Sequence, residues 1–329
     1  MRHWYHRGLL VWLLWPASLL FRFVVALRRL LYALRLLPSA HPGIPVIVVG
    51  NLVAGGSGKT PLVIRIAEQL KRSGWTPAIV SRGYGGTQGP PRAATIASQA
   101  DDVGDEPIVL SRRSGCPVWV GADRLAVIRT LRAVHTDVDV VVLDDGLQHY
   151  RLRRDLEIAV VDARGFGNGF MLPAGPLREP ASRLRSVDAV VSHGATLKGY
   201  AMRLVGGEAH RMTNAAERRP VSAFAGSKVH AVAGIGNPNR FFLHLASLGA
   251  KLIPHPFADH HRFTPRELDF GDGLPVLMTE KDAVKLRSAA QPEVMGNWWV
   301  LPVSAQLEPA FDDWLAGRMN EFRRRSKAA

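Results

Sequence analysis

A single cysteine, Cys116, occurs in 329 residues. That excludes a disulfide framework and fits a reducing compartment. Acidic residues are missing from residues 1–40, where six arginines (Arg2, Arg7, Arg22, Arg28, Arg29, Arg35) give a charge of +6. The guanine-reading tetrapeptide Asn-Lys-x-Asp is absent, which counts against a GTP-dependent switch. No second His/Cys cluster with zinc-like spacing accompanies Asp259-His260-His261, so a zinc site is disfavoured and a polar loop or an inter-domain histidine is preferred. There is neither an internal repeat nor a long low-complexity tract, which removes solenoids and largely disordered chains from consideration.

What is present is a basic, folded chain. Its net charge is +14 and 47% of its residues are hydrophobic. Residues 318–327 hold Arg318, Arg323, Arg324, Arg325 and Lys327 against Glu321, so most of the excess charge sits at the two ends. A basic end beside apolar sequence suits an anionic membrane surface. Nucleic acid is the competing partner and is set aside, because the N-terminal arginines are interleaved with Leu, Trp, Phe and Val. Residues 8–21 are uncharged, short of the roughly 20 residues of a spanning helix. Extension to residue 27 takes in Pro16 and Arg22. On a helix, Arg22, Arg28, Arg29 and Arg35 fall within an arc of about 140°. The pattern predicts a membrane-dipping or spanning segment running into an interfacial amphipathic helix. A buried core helix is one alternative. A secretory signal is another, disfavoured because no small-x-small cleavage site follows.

The strongest motif is Gly55-Gly56-Ser57-Gly58-Lys59-Thr60, preceded by the apolar run 46–49 and followed by Pro61 and an amphipathic segment. Strand, glycine-rich loop and helix in that order make a phosphate-cradling P-loop. Backbone N–H groups of Gly55, Gly56, Ser57 and Gly58 surround phosphate oxygens, Lys59 supplies a charge, and the Thr60 hydroxyl suits Mg²⁺. Position 53 is Val where the common pattern has Gly. Apolar runs at 78–80, 117–120, 138–143, 158–161 and 189–191 alternate with helical patterns. They predict an α/β fold, a doubly wound and mainly parallel sheet of the P-loop NTPase type. A break near 205–225 precedes a second, smaller α/β unit with strands near 230–233, 252–253, 276–278 and 298–301. The expected organisation is a membrane-associated helix (1–40), a P-loop core (41–215) and a C-terminal domain (216–329).

Asp144 and Asp145 end an apolar strand, the usual place for the acid that holds Mg²⁺ in P-loop proteins. Asp105 opens a helix in Gly104-Asp105-Glu106-Pro107. Spacing alone favours an N-cap over a proton acceptor. Arg82 and Tyr84 lie in a flexible loop after the second strand. Arg178, in the Gly/Pro-rich stretch 166–180, is a candidate for stabilising transferring phosphoryl charge. Gly234-Ile235-Gly236 lacks a third spaced glycine and reads as a turn.

Several ordered segments together resemble the tetraacyldisaccharide 4′-kinase family. They are Val49-Gly50-Asn51-Leu52 with residues 55–61, Ser81-Arg82-Gly83-Tyr84, and Gly104-Asp105-Glu106-Pro107. Asp144-Asp145-Gly146-Leu147-Gln148-His149, residues 172–180, Phe257-Ala258-Asp259-His260 and Thr279-Glu280-Lys281-Asp282-Ala283-Val284 complete the set. Val53 is not a departure within that family. The resemblance implies transfer of the ATP γ-phosphoryl group to the 4′-hydroxyl of a membrane-embedded acylated disaccharide 1-phosphate. It implies an inner-membrane location with the catalytic domains facing the cytosol, ATP and Mg²⁺ as cofactors, no nucleic acid and no protein partner. It also implies Lys59 at the phosphates, and Thr60, Asp144 and Asp145 at the metal with Glu179 assisting. Asp105 is implied as general base, paired with His260 in preference to His261, and Arg178 as the transition-state cation. A P-loop kinase for another substrate and a membrane-attached nucleotide switch are the alternatives.

Overall fold

The computed structural model describes residues 2–194, 199–286 and 295–328. Its first eight strands are β1 (Val46–Gly50), β2 (Pro77–Ser81), β3 (Arg92–Ala93), β4 (Val118–Val120), β5 (Val140–Asp144), β6 (Leu156–Asp162), β7 (Ala189–His193) and β8 (Tyr200–Val205). They are followed by β9 (Glu208–Arg211), β10 (Arg218–Pro220), β11 (Lys228–Ala233), β12 (Lys251–Pro256), β13 (Val276–Thr279), β14 (Trp298–Leu301) and β15 (Ser304–Leu307). The strands form a nine-stranded sheet ordered β15-β8-β7-β6-β1-β5-β2-β4-β3 and a six-stranded sheet ordered β10-β9-β14-β13-β11-β12. In the larger sheet the strands from β8 to β4 run parallel, and β15 and β3 are antiparallel edges.

The central strands are buried along their whole length. Valine-rich runs suit this, because branched side chains pack well on both faces of a covered parallel sheet. The helices are α1 (Leu9–Ala33), α2 (Lys59–Arg72), α3 (Ala100–Val103), α4 (Asp105–Ser114), α5 (Arg124–Val134), α6 (Pro238–Ser247), α7 (Glu280–Leu286) and α8 (Pro309–Ala328). One face of the large sheet is covered by α2, α4 and α8 through Leu62, Ile66, Ile108, Phe311 and Leu315. The other is covered by α5 through Leu125, Ile128 and Leu131, with Phe21 and Val25 of α1 packed beside them. The expected doubly wound fold is present. Asp123 caps α5 from outside, accepting from Leu125 N and Ala126 N.

The C-terminal boundary needs correction. Residues 216–329 do not form one unit, since β15 pairs with β8 of the large sheet. Phe311, Leu315 and Met319 of α8 then bury against the α2 face. Tyr200 of β8 packs edge-on against Phe311 and at a tilt against Trp314, with ring centroids 5.4 and 5.8 Å away. A chain that leaves one domain and returns to it carries no local signature at the return.

The N-terminal segment is one continuous helix despite Pro16. Val11, Leu14, Ser18, Phe21, Val25, Arg29 and Tyr32 are buried or half-buried along one stripe at three- and four-residue spacing. Ser18 Oγ donates to the Met171 carbonyl at 2.8 Å and accepts from Ala174 N at 2.9 Å. The remaining surface stays apolar and exposed, with Leu13 at 76%, Leu20 at 65% and Phe23 at 62%. The helix is long and apolar enough to cross a membrane.

Candidate active site

The P-loop leaves β1 at Gly50 and enters α2 at Lys59. No side chain caps α2, so its first N–H groups remain available for an anion. Asn51 braces the loop. Its Nδ2 donates to the Gly55 carbonyl at 3.2 Å, and its Oδ1 accepts from Lys59 Nζ at 3.4 Å. Val53 explains the missing glycine. It forms a bridge with Leu177, while Ala54 N donates to the Pro176 carbonyl at 2.8 Å and Arg178 N to the Leu52 carbonyl at 2.7 Å. A β-branched, extended residue thus stitches the P-loop to residues 176–178. Ser57 Oγ is buried without a hydrogen-bond partner.

Parallel pairing of Val49 with Asp144 brings the acidic strand end beside the start of the P-loop. The two aspartates differ sharply. Asp145 is held well below the usual carboxylate range: burial works against its charge, but Lys59 and Arg178 outweigh it. Lys59 Nζ is 3.7 Å away, and Arg178 makes a two-pronged contact at 2.8 and 3.0 Å. Asp144 is 1% exposed and pushed up to about 7, chiefly by burial, then by Glu106. Neither of its oxygens has a hydrogen-bond partner. A buried carboxylate with two orphaned oxygens is a costly arrangement that a bound cation relieves. Among the described residues no cluster of three His, Cys, Asp or Glu side chains can hold a metal. The donor set therefore fits an ion that keeps water and phosphate ligands, as Mg²⁺ does, rather than an all-protein cage.

Glu179, expected to assist at the metal, is 1% exposed. One of its oxygens accepts from the Tyr150 hydroxyl and the other from Gln148 Nε2 at 3.2 Å, with Arg183 Nε 3.8 Å away. Both oxygens are thus engaged in a buried network, and Gln148 also donates to the Asn51 carbonyl at 3.2 Å. Arg178 is likewise occupied, bound to Asp145 and to the Asn51 side chain and carbonyl.

A cleft of about 350 Å³ opens from the P-loop toward the second sheet. Lys59 and Thr60 face Asn237, Arg240 and Phe241 across it, with Glu106 and Lys281 also in its lining. The two sides meet at Gly56 and Gly236, where a Cβ on Gly236 would stand 2.6 Å from Gly56 N. The Gly-Ile-Gly turn is thus the wall of the cleft, and it was not read as functional because a turn glycine and a close-approach glycine look alike in sequence. Lys281 was also missed. Its ammonium bridges Glu106 and Asp259, both at 3.2 Å. These acids, with Asp105, hold its pKa up against the burial that would lower it.

Asp105 sits at the head of α4 and is 3% exposed. The N-cap position belongs to Gly104, whose φ is +87°. A Cβ there would lie 2.5 Å from the Tyr84 carbonyl oxygen, so glycine lets the 81–86 loop close onto the helix start. Asp105 Oδ1 accepts from Glu106 N at 2.8 Å, and Oδ2 lies 3.0 Å from His260 Nδ1 and 3.9 Å from Lys285 Nζ. Burial works to raise the Asp105 pKa, but the His260 hydrogen bond and the nearby lysines bring it below its ordinary value. The same bond raises His260. Tyr84 packs on the His260 ring at 4.9 Å. A smaller cleft of about 160 Å³ opens beside the pair. His261 lies elsewhere, against Phe257 and Phe263, with Glu267 3.2 Å away.

Comparisons with known proteins point to one family. The sequence profile described as "Tetraacyldisaccharide-1-P 4'-kinase" (LpxK) matches residues 10–320. A tetraacyldisaccharide 4'-kinase of Azoarcus sp. (strain BH72) is 48% identical over 313 residues, covering 93% of this chain and 91% of that protein. The one from Methylobacillus flagellatus is 46% identical over 325 residues, covering 98% and 96%. Among solved structures, LpxK from Aquifex aeolicus in complex with ATP superposes with a TM-score of 0.77 at 28% identity. It covers 95% of this chain and 99% of that one. The P-loop, the acidic strand end and the profile over nearly the whole length thus lead to one assignment: the chain belongs to the tetraacyldisaccharide 4′-kinase family, ATP-dependent kinases of lipid A biosynthesis.

Proposed function

We propose that the chain phosphorylates the 4′-hydroxyl of a membrane-held tetraacyldisaccharide 1-phosphate, with the reacting groups drawn from both domains. The observation that carries this reading is the 3.0 Å contact between Asp105, at the head of α4, and His260, from the loop after β12. It stands beside the P-loop cleft, whose lining includes Glu106, the neighbour of Asp105 in the chain, and Lys281. In this reading the P-loop N–H groups and Lys59 hold the ATP phosphates. The Asp105 carboxylate, ionised at neutral pH, takes the proton as the hydroxyl oxygen attacks the γ-phosphorus and the bond to the β-phosphate oxygen breaks. The hydrogen bond to His260 fixes the carboxylate, and the ring shares the arriving proton. Arg178, once drawn off Asp145 by phosphate, stabilises the charge on the transferring group.

Thr60 and Asp144 would hold Mg²⁺, with Asp145 beside them. When bound, the ion supplies neutralisation of charge at the β- and γ-phosphate oxygens. The orphaned oxygens of Asp144 support this assignment. The exposed apolar surface of α1, with Arg22 and Arg28 alongside, supports association with the inner leaflet of the inner membrane. An acylated acceptor remains in the bilayer, so the catalytic domains would work on its cytosolic face, where ATP is available.

Paired histidine variants test the reading. His260→Ala should lower kcat for the lipid acceptor by about 100-fold, while His261→Ala should stay within about threefold of wild type. The reverse order would refute the two-domain assignment.

A further inference from the structure

Besides His260, Asp105 faces a second group from the other domain. Lys285 stands in the last turn of α7 and lines the same cleft of about 160 Å³ as Asp105 and His260. Its side chain is 7% exposed and that of Asp105 is 3% exposed. The ammonium is fixed from several directions. Nζ lies 2.8 Å from Asp282 Oδ1, donates to the Gly234 carbonyl at 3.3 Å and sits 5.0 Å over the Phe263 ring. From there it reaches to 3.9 Å from Asp105 Oδ2. Asp282 is fixed in turn. It is 0% exposed, and its Oδ2 accepts from Gly234 N at 3.1 Å and from Thr279 Oγ1 at 2.6 Å. A Cβ on Gly234 would stand 3.0 Å from the Phe263 ring and 3.1 Å from Asp282 Oδ1, so glycine leaves room for the cluster.

A lysine placed only to complete Asp282 has its partner three residues away on the same helix. This one is also turned onto a carboxylate of the other domain. A carboxylate as buried as Asp105 stays charged only with cations close by. Burial works to raise its pKa, and the His260 bond, Lys281 and Lys285 lower it. These partners differ in kind. An imidazole carries its charge only while protonated, whereas a lysine ammonium is charged throughout the neutral range. Lys281 is engaged elsewhere, bridging Glu106 and Asp259. We infer that Lys285 is a positioning residue of the Asp105–His260 pair. It keeps the Asp105 carboxylate charged and in place whichever protonation state the His260 ring holds, and it acts through Asp105 rather than on a reacting atom. The inference rests on Asp105 acting as the general base.

A double-mutant cycle on the full-length protein in detergent provides the test. Radiolabelled γ-phosphate is followed from MgATP into tetraacyldisaccharide 1-phosphate, with Lys285→Met introduced into wild type and into Asp105→Asn. A residue that acts through Asp105 matters only while that carboxylate is present. Lys285→Met should therefore lower kcat about tenfold in the wild-type background and change it by less than about twofold in the Asp105→Asn background. The KM for ATP should stay within about threefold of wild type, because Lys285 does not line the P-loop cleft. An equal loss of kcat in both backgrounds would overturn the inference. So would a kcat for Lys285→Met within about twofold of wild type. Because Lys285→Met strands the buried Asp282 carboxylate, the charge-neutral pair Lys285→Met/Asp282→Asn is taken through the same cycle, and the same split is expected. Failure of that pair to fold would mark Lys285 as a structural cation and also overturn the inference. A near-native kcat in Asp105→Asn would instead remove the general-base reading on which the inference stands.

Discussion

Replacing Asp105 by Asn separates chemistry from nucleotide binding. The amide is nearly isosteric, and its oxygen can still accept from Glu106 N, which lies 2.8 Å from Oδ1 in the native protein. What is lost is the negative charge facing His260 Nδ1 at 3.0 Å and Lys285 Nζ at 3.9 Å. Both neighbouring lysines keep other acids. Lys285 is 2.8 Å from Asp282, and Lys281 is 3.2 Å from both Glu106 and Asp259. The stability loss should therefore be modest, about 1–3 kcal/mol for one charge-assisted bond. Catalysis should suffer far more, because a positioned base contributes about 10²- to 10⁴-fold. The cleft lined by Lys59 and Thr60 does not include Asp105, so the KM for ATP should stay within about threefold of wild type. Initial rates of lipid phosphorylation, at varied ATP and saturating acceptor, measure both parameters. Near-native kcat in Asp105→Asn would refute the general-base role. A parallel loss of ATP affinity would refute the separation of the two clefts.

Lys59→Ala should weaken MgATP binding by about tenfold or more, as read by calorimetry, since it removes a cation from the phosphate site. His260→Gln should lower stability most at mildly acidic pH. His260 is raised above its ordinary 6.5, so its contribution is complete below that value and is lost as pH rises through the raised pKa. Asp105 is lowered from 3.8, so its contribution is complete above that value and is lost as pH falls through the lowered one. The melting-temperature gap between wild type and His260→Gln should thus be widest between pH 3.8 and 6.5 and should shrink on the alkaline side. Ser18→Ala leaves Ala174 N without its buried acceptor and should cost about 1–3 kcal/mol in chemical denaturation. No change would mean that α1 does not dock there.

The parts of the site legible in the sequence are those whose chemistry follows local order. Glycines between an apolar run and a helix announce the P-loop, and an apolar run ending in Asp144 announces the acid beside it. Contacts made across the fold were not legible from local spacing, and the family resemblance alone paired Asp105 with His260. Asp105 reads as a helix cap because Gly104-Asp105-Glu106-Pro107 is a common helix start, and its partner His260 is 155 residues away. Arg240 and Lys281 sit on ordinary helices, and the larger cleft alone brings them to the P-loop. The surroundings of Glu179 were hidden for the same reason: Tyr150, Gln148 and Arg183 close around it from other segments. The return of β15 and α8 to the large sheet is equally silent, since an edge strand of four residues has no distinctive pattern.

The central claim is transfer of phosphate from ATP to the acylated disaccharide. It is tested most directly by incubating the detergent-solubilised protein with Mg²⁺, ATP and tetraacyldisaccharide 1-phosphate, and weighing the lipid by mass spectrometry. The account predicts a bisphosphorylated lipid, heavier by one phosphate, that is absent with Lys59→Ala. Hydrolysis of ATP by folded protein with the lipid unchanged would contradict it.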